Sequence, residues 1–220
     1  SYFYNTTDDV FFNLSLANSS GYDEIFTNAG KIENKGMEVD LGYDIFQTED
    51  FKINLTANWS YYRNKVLDLK GVESIRLGGL SAVSGRAVEG YPLGVFWGTK
   101  FSRNDDGSIF LNSNGFPTLA PENGVIGDPH PDWQGGVGTT VTWKNLNLYF
   151  LFETYQGADI YAGTKAVLLN YGRHRDSGVE TVAEKDLFDY NGGLITSGTS
   201  FRGTVHNFSA GDVALAESWY

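Results

Sequence analysis

Acid–base or metal chemistry would have to start from the three histidines, at positions 130, 174 and 206, and their spacing supports neither. None has a histidine partner four residues away and none sits in an H-x-E pattern, the spacings that bring two ligands, or a ligand and a base, onto one helical face. Cysteine is absent, which removes disulfides, thiolate zinc sites and a cysteine nucleophile. A serine, a histidine and an aspartate can be combined on paper, but no nucleophile motif accompanies them. Asp105-Asp106-Gly107 resembles the opening of a calcium loop, yet the closing glutamate is missing, so the segment reads as a turn. No catalytic residue, metal ligand or cofactor is assigned, and the chain is read as not an enzyme. The aromatic residues remain. Trp97, Trp133, Tyr155, Tyr161 and Tyr171 could stack on sugar rings, and the same side chains serve equally in packing or at a membrane interface. Trp133, Tyr155, Tyr161 and Tyr171 are the candidate ligand-binding residues. In Asp128-Pro-His-Pro-Asp132-Trp133 the prolines are expected to fix a loop where a strand begins.

The elements that must carry these side chains are strands. Met37, Val39, Leu41, Tyr43 and Ile45 alternate with Glu38, Asp40, Gly42 and Asp44. After Thr48-Glu49-Asp50, the residues Phe51, Ile53, Leu55, Ala57, Trp59 and Tyr61 alternate with Lys52, Asn54, Thr56, Asn58 and Ser60. Period two gives each run one apolar and one polar face, and the short polar connection makes an antiparallel hairpin. Each run is long enough for a tilted membrane-spanning strand of about 9–11 residues, where a globular strand holds about 5–6. Two architectures fit. In a soluble β-sandwich the apolar face packs on a second sheet. In a transmembrane barrel it meets lipid, and the polar face lines a wet lumen. A second hairpin is expected over Gln134–Gln156, turning at Lys144-Asn145. Both hairpin turns are short and the other connections long; in the barrel reading the short turns would then be periplasmic and the long connections extracellular.

Elsewhere, Ser1–Asn5 reads as a strand end and Val10–Leu16 as a short strand. Ala17–Thr27 reads as loop, the stretch after Lys65 to Glu89 as a long loop with an irregular strand near Ser74–Leu77, and Tyr91–Phe101 as a strand. Arg103–Asp132 reads as loop. From position 158 to 220 the expectation is a long extracellular loop region with short helices, one over Gly163–Gly172 and one opening at the capping box Thr181–Glu184.

Three motifs then carry a family resemblance. Asn28-Ala-Gly-Lys-Ile-Glu-Asn-Lys-Gly36-Met-Glu38 resembles the "N-x-G-x-I/V-x-N-K-G-x-E" strand of the SusC/RagA family of TonB-dependent outer-membrane transporters. Gly90-Tyr-Pro-Leu-Gly94 resembles its "G-x-P-x-G" strand start, and Ile126-Gly-Asp-Pro-His-Pro-Asp-Trp133 its "IGDPxPxW" segment. They occur in the family's order. The resemblance implies an all-β fold, part of a large antiparallel transmembrane barrel. It implies TonB-dependent import of glycan oligosaccharides or peptides across a bacterial outer membrane. Its implied partners are a SusD-like surface lipoprotein, TonB acting through a plug, outer-membrane lipid, and the glycan or peptide itself. The family's barrel has roughly 22 strands around that plug. The 220 residues cannot supply these at roughly 10 residues per strand, so the expectation is a segment from the C-terminal half, with barrel strands over 1–157. The alternative that composition leaves open is a secreted β-sandwich carbohydrate-binding module.

Composition bounds both readings. The net charge of −11, from 16 basic and 27 acidic residues, excludes nucleic acid as a partner, since phosphate binding needs a basic surface. A mean hydropathy of −0.28 fits a barrel wall, because every second residue there faces water.

Overall fold

The alternating runs become a long antiparallel ladder. In the computed structural model, which describes residues 1–16, 18–79, 83–209 and 211–216, β1 is Tyr2–Ser15, β2 Glu24–Gln47 and β3 Phe51–Asp68. The chain continues through β4 (Ser74–Gly78), β5 (Ser84–Val88), β6 (Val95–Gly98) and β7 (Gly124–Gly127) to the second hairpin, β8 (Trp133–Trp143) and β9 (Leu146–Gln156). Two sheets result, with strand orders β1-β2-β3-β8-β9 and β4-β5-β6-β7. They build one compact unit, residues Ser1–Gly98 and Val125–Ile160.

Register decides which side chains share a face. Met37 lies opposite Tyr61, Val39 opposite Trp59, Leu41 opposite Ala57 and Tyr43 opposite Leu55. Across the next seam Ile53 faces Val141 and Ala57 faces Val137, and beyond it Val137 faces Phe152 and Val141 faces Leu148. Residues directly opposite in a ladder point the same way, so one face, apolar but for Thr139 at its middle, runs over four strands. Ile45 is a correction to this set. It is the extra residue between Asp44 and Phe46, and Phe46 takes the place opposite Ile53. An inserted residue reverses the parity of everything beyond it. No described residue covers the apolar face: Leu41 is 65% exposed and Phe152 77%. A sandwich would bury these residues as its core, and the described residues of this chain do not.

The two short turns sit side by side, the Lys144 N–H donating to the Asp50 carbonyl at 2.7 Å. At the other end of the ladder β1 carries a second bulge, between Thr7 and Val10, with Asp9 at φ 56°. The two short strands expected in this region are thus one strand. Above the bulge its parity flips, so that Phe12 joins Ile32, Val66, Leu69, Ile75 and Ala87 in a small core beneath β4 and β5. The strand expected over Tyr91–Phe101 shortens to β6. Gly90 and Gly94, at φ 84° and 91°, turn the chain there, and Gly90 and Tyr91 exchange backbone hydrogen bonds with Val66 at the edge of β3.

Residues Thr99–Gly124 and Tyr161–Tyr220 form a second compact unit. It contains α1 (Gly163–Asn170), α2 (Arg175–Gly178), β10 (Glu180–Val182), β11 (Leu187–Phe188), β12 (Leu194–Ile195), β13 (Ser200–Asn207) and β14 (Asp212–Ala216). The first expected helix is present as α1. The second is not: Thr181–Glu184 opens with strand β10, held against β13 and by the Thr181 hydroxyl donating to the Gly203 carbonyl at 2.6 Å. Sheet pairing here outweighs the local capping signal. The strands were not foreseen because the longest, β13, has only eight residues and three of these strands have two or three. Ala183, Leu187 and Ala214 form its core with Ile195 and Phe201. Asn104–Ser108 forms the expected turn, and the Ser108 hydroxyl and N–H donating to its carboxylate hold Asp106 below the usual carboxylate range.

The β13–β14 connection gives a pH prediction. Lys185 donates to the Asp212 carboxylate at 2.6 Å and Asn207 at 3.0 Å, and these bonds, Lys185 first, hold its pKa below the ordinary value. A lowered folded pKa contributes stability that is present above the unfolded pKa and is lost as pH falls through the folded one. Hydrogen exchange at the paired ends of β13 and β14, Asn207 and Asp212, corrected for intrinsic rates, should be constant between about pH 7 and about pH 5 and accelerate on further acidification. The Asp212→Asn variant should show no such step.

Candidate functional site

The polar face of the large sheet is built by the same alternation that makes the apolar one. Glu38, Asp40 and Asp44 stand opposite Ser60, Asn58 and Asn54. Asp44 accepts from Asn54 at 2.7 Å and from Lys52 at 3.1 Å. Thr56 donates to the Gly138 carbonyl at 3.3 Å, and Thr142 to Asn147 at 2.7 Å. A Cβ at Gly138 would come within 2.8 Å of the Thr56 hydroxyl, so glycine lets the polar side chains of β3 lie close to the sheet.

At the end remote from the turns this face is furnished further. Asn34 accepts from the Tyr62 hydroxyl and from Asn64, each at 2.6 Å, and Asn64 in turn accepts the Leu93 N–H at 2.7 Å. The motif asparagine of β2 is thereby linked to the 90–94 motif through two side chains. Gly36 lies opposite Phe3, and a Cβ on it would meet the Phe3 ring and the Tyr61 carbonyl, both at 2.5 Å. Only glycine admits that ring. Beside it lies a cavity of about 280 Å³, lined by Phe3, Glu38, Ser60, Tyr62, Pro131 and Gln134 among others. A carboxylate, a hydroxyl, an amide and two rings converge there. Such a mixture can bind a small polar group with one apolar side, a sugar ring or a peptide side chain.

The aromatic candidates fall differently. Trp133 and Tyr155 are on adjacent strands but opposite faces, since Trp133 pairs with Gln156 and Tyr155 with Gln134. By register Trp133 belongs to the apolar side, next to Trp59 across Gly135, and at the start of β8 it also lines the cavity beside Phe3 and Glu38. Tyr155 is exposed on the polar side. Tyr161 and Tyr171 lie in the second unit, before and after α1, both exposed. Phe3, Glu38, Tyr62 and Gln134 escaped the sequence reading. The even-position parity of Glu38 was visible, but Phe3 joins it only through the β1–β2 register. Among the described residues no helix is long and apolar enough to cross a membrane, which says nothing of strands.

An all-β chain whose largest sheet leaves a whole apolar face uncovered has the make-up of a membrane-barrel wall. Comparison with known proteins agrees. The chain is 29% identical over 181 residues to TonB-dependent receptor P26 of Formosa agariphila, a match covering 73% of this chain and 18% of that protein. It is 26% identical over 204 residues to TonB-dependent receptor P39 of the same organism, covering 71% and 20%. No family model matches. Among solved structures, the RagAB peptide transporter superposes with a TM-score of 0.54 at 21% identity, over 71% of this chain and 18% of that one. The chain is SusC/RagA-like, resembling part of a TonB-dependent receptor, and it spans about a fifth of the length of the curated relatives it matches.

Proposed function

We propose that this chain is a wall segment of a TonB-dependent outer-membrane importer of glycan oligosaccharides or peptides. The carrying observation is the uncovered apolar face backed by a polar one. Lipid takes the first, and the second lines the path of the nutrient. Rows of aromatic residues bound the apolar face, Phe51 and Trp143 at the turn end and Trp59 and Tyr61 at the other. Eight residues separate Phe51 from Trp59 on one strand, about 27 Å along its axis and less when tilted, which matches an apolar band about 25 Å tall. The two adjacent short turns face the periplasm and the long connections face outward. The cavity at Glu38, Tyr62 and Gln134 then lies on the lumen side, near the outer mouth. The further parts of the machine, a SusD-like lipoprotein and TonB acting through a plug, belong to this proposal. Trp133 serves at the membrane interface in this reading, and Tyr155, Tyr161 and Tyr171 remain proposed ligand contacts.

This segment contributes no cysteine of its own, so single cysteines placed in it can be read in a full-length background whose other cysteines are replaced. In intact cells a membrane-impermeant maleimide should label Ser20→Cys, in the β1–β2 connection, and leave Glu49→Cys unlabelled until the outer membrane is permeabilised. Uptake of radiolabelled oligosaccharide or oligopeptide should depend on both the protein and TonB. Equal labelling of the two cysteines in intact cells would refute the topology, and uptake indifferent to TonB would refute the function.

A further inference from the structure

On the apolar face, at the end remote from the turns, the wall is notched and carries cations above the notch. Gly135 forms the floor: a Cβ there would stand 3.6 Å from the rings of both Trp59 and Trp133. Ala57, Val137 and Phe152 complete a concavity of about 370 Å³, almost wholly apolar. One step along β3, Tyr61 stacks near Trp59, with centroids 6.4 Å apart and planes at 12°. The next residue on this face is Arg63, whose guanidinium carbon is 5.2 Å from the Tyr61 ring centroid. Arg63 lies opposite Lys35, and beyond that pair Lys65 lies opposite Glu33. Two strand residues rise about 7 Å, so the backbones that carry these cations lie about 14–20 Å from Trp59 along the strand, and less along the bilayer normal when the strand is tilted; their long side chains reach back toward headgroup level, as Arg63 does over the Tyr61 ring.

Like charges placed directly across a ladder repel. Arg63 is paired with Asp132, and Lys35 with Glu33 at 3.3 Å. Lys65 is exposed and makes no ion pair among the described residues. Three cations against two carboxylates leave this patch positive on a chain of net charge −11. An apolar notch below a positive row is complementary to one kind of molecule, an amphiphile with an acyl chain and an anionic head.

We propose that this face holds a phosphate-bearing membrane lipid, its acyl chain in the notch over Gly135 and its phosphate at Arg63, Lys35 and Lys65. The inference rests on the membrane-wall reading above. Nonspecific attraction is worth about fivefold in binding per cation near a membrane surface, and the notch adds chain contact that bulk lipid lacks.

The test uses the full-length protein carrying this sequence, in detergent micelles, with lipids brominated on the acyl chain. Bromine quenches tryptophan at contact, and Trp59 and Trp133 wall the notch. Brominated phosphatidylglycerol should quench at a lower mole fraction than brominated phosphatidylcholine. Lys65→Gln and Arg63→Gln should each shift the phosphatidylglycerol curve toward the phosphatidylcholine one, about fivefold. Gly135→Leu should remove the high-affinity phase, and Trp133→Phe should diminish its amplitude without moving its midpoint. Equal quenching by the two lipids in the parent protein would show only a nonselective lipid annulus and overturn the proposal. Loss of the selective phase on adding inorganic phosphate, but not chloride of equal ionic strength, would show that the cations hold a free anion, and would also overturn it. No quenching by either lipid would instead refute the membrane-wall reading itself.

Discussion

Arginine at Leu55 should destabilise the bilayer-embedded protein by about 2–4 kcal/mol, while arginine at the neighbouring Thr56 should cost well under 1 kcal/mol. Leu55 lies on the apolar face between Tyr43 and Thr139 and midway along β3 between Phe51 and Trp59. A guanidinium there meets hydrocarbon near the midplane, and the four residues of strand to either aromatic row rise about 13 Å, farther than its own side chain reaches. Thr56 points to the other face, between Gly42 and Gly138, where water reaches it. Urea unfolding of the full-length protein from lipid vesicles measures both. Equal tolerance of the two variants would mean that neither face meets lipid. The contrast between adjacent residues guards against misreading a general loss of folding, because only the side of the sheet differs.

The two hairpins were legible because strand alternation needs no tertiary knowledge. Met37 to Tyr43 and Ile53 to Trp59 reveal their face by parity, and the structure pairs them as expected. Their environment was not legible from parity, since a face that meets lipid and a face that meets a second sheet have the same pattern. Exposure of Leu41 and Phe152 separates the two. Parity also failed wherever a residue was inserted. The bulges at Asp9 and Ile45 carry no distinctive residue type, yet each reverses the faces beyond it. The motif asparagine and glycine gave family likeness before they gave a reason. The reasons, an aromatic ring over Gly36 and a side-chain relay from Asn34 through Asn64 to Leu93, depend on partners 29 to 33 residues apart at each link. The short strands of the second unit were invisible for a related cause: a ladder two or three residues long is specified by its partner and by the core beneath it.

That second core sets the last prediction. Phe116→Ala should destabilise the unit formed by Thr99–Gly124 and Tyr161–Tyr220 by about 3–5 kcal/mol, the usual range for deleting a fully buried ring. Phe116 is wholly buried, its ring edge-on to Tyr190 at 5.6 Å and 6.4 Å from Phe208. The turn before it explains the placement. Asn112 accepts the N–H groups of Asn114 and Phe116 at 2.9 and 3.0 Å, and Gly115, at φ 84°, reverses the chain. A Cβ at Gly115 would lie 3.1 Å from the Val213 side chain, so the turn brings Phe116 close against β14. Removing the ring leaves a cavity that this small unit has little other core to absorb. Hydrogen exchange should report it: amides of β13 and β14 should open more than about a hundredfold faster, while those of β2 and β3 keep their rates. Phe110→Ala, at a side chain 48% exposed, provides the contrast and should change exchange little. If β13 and β14 keep parental rates in Phe116→Ala, the segment is held in place by something other than its own core.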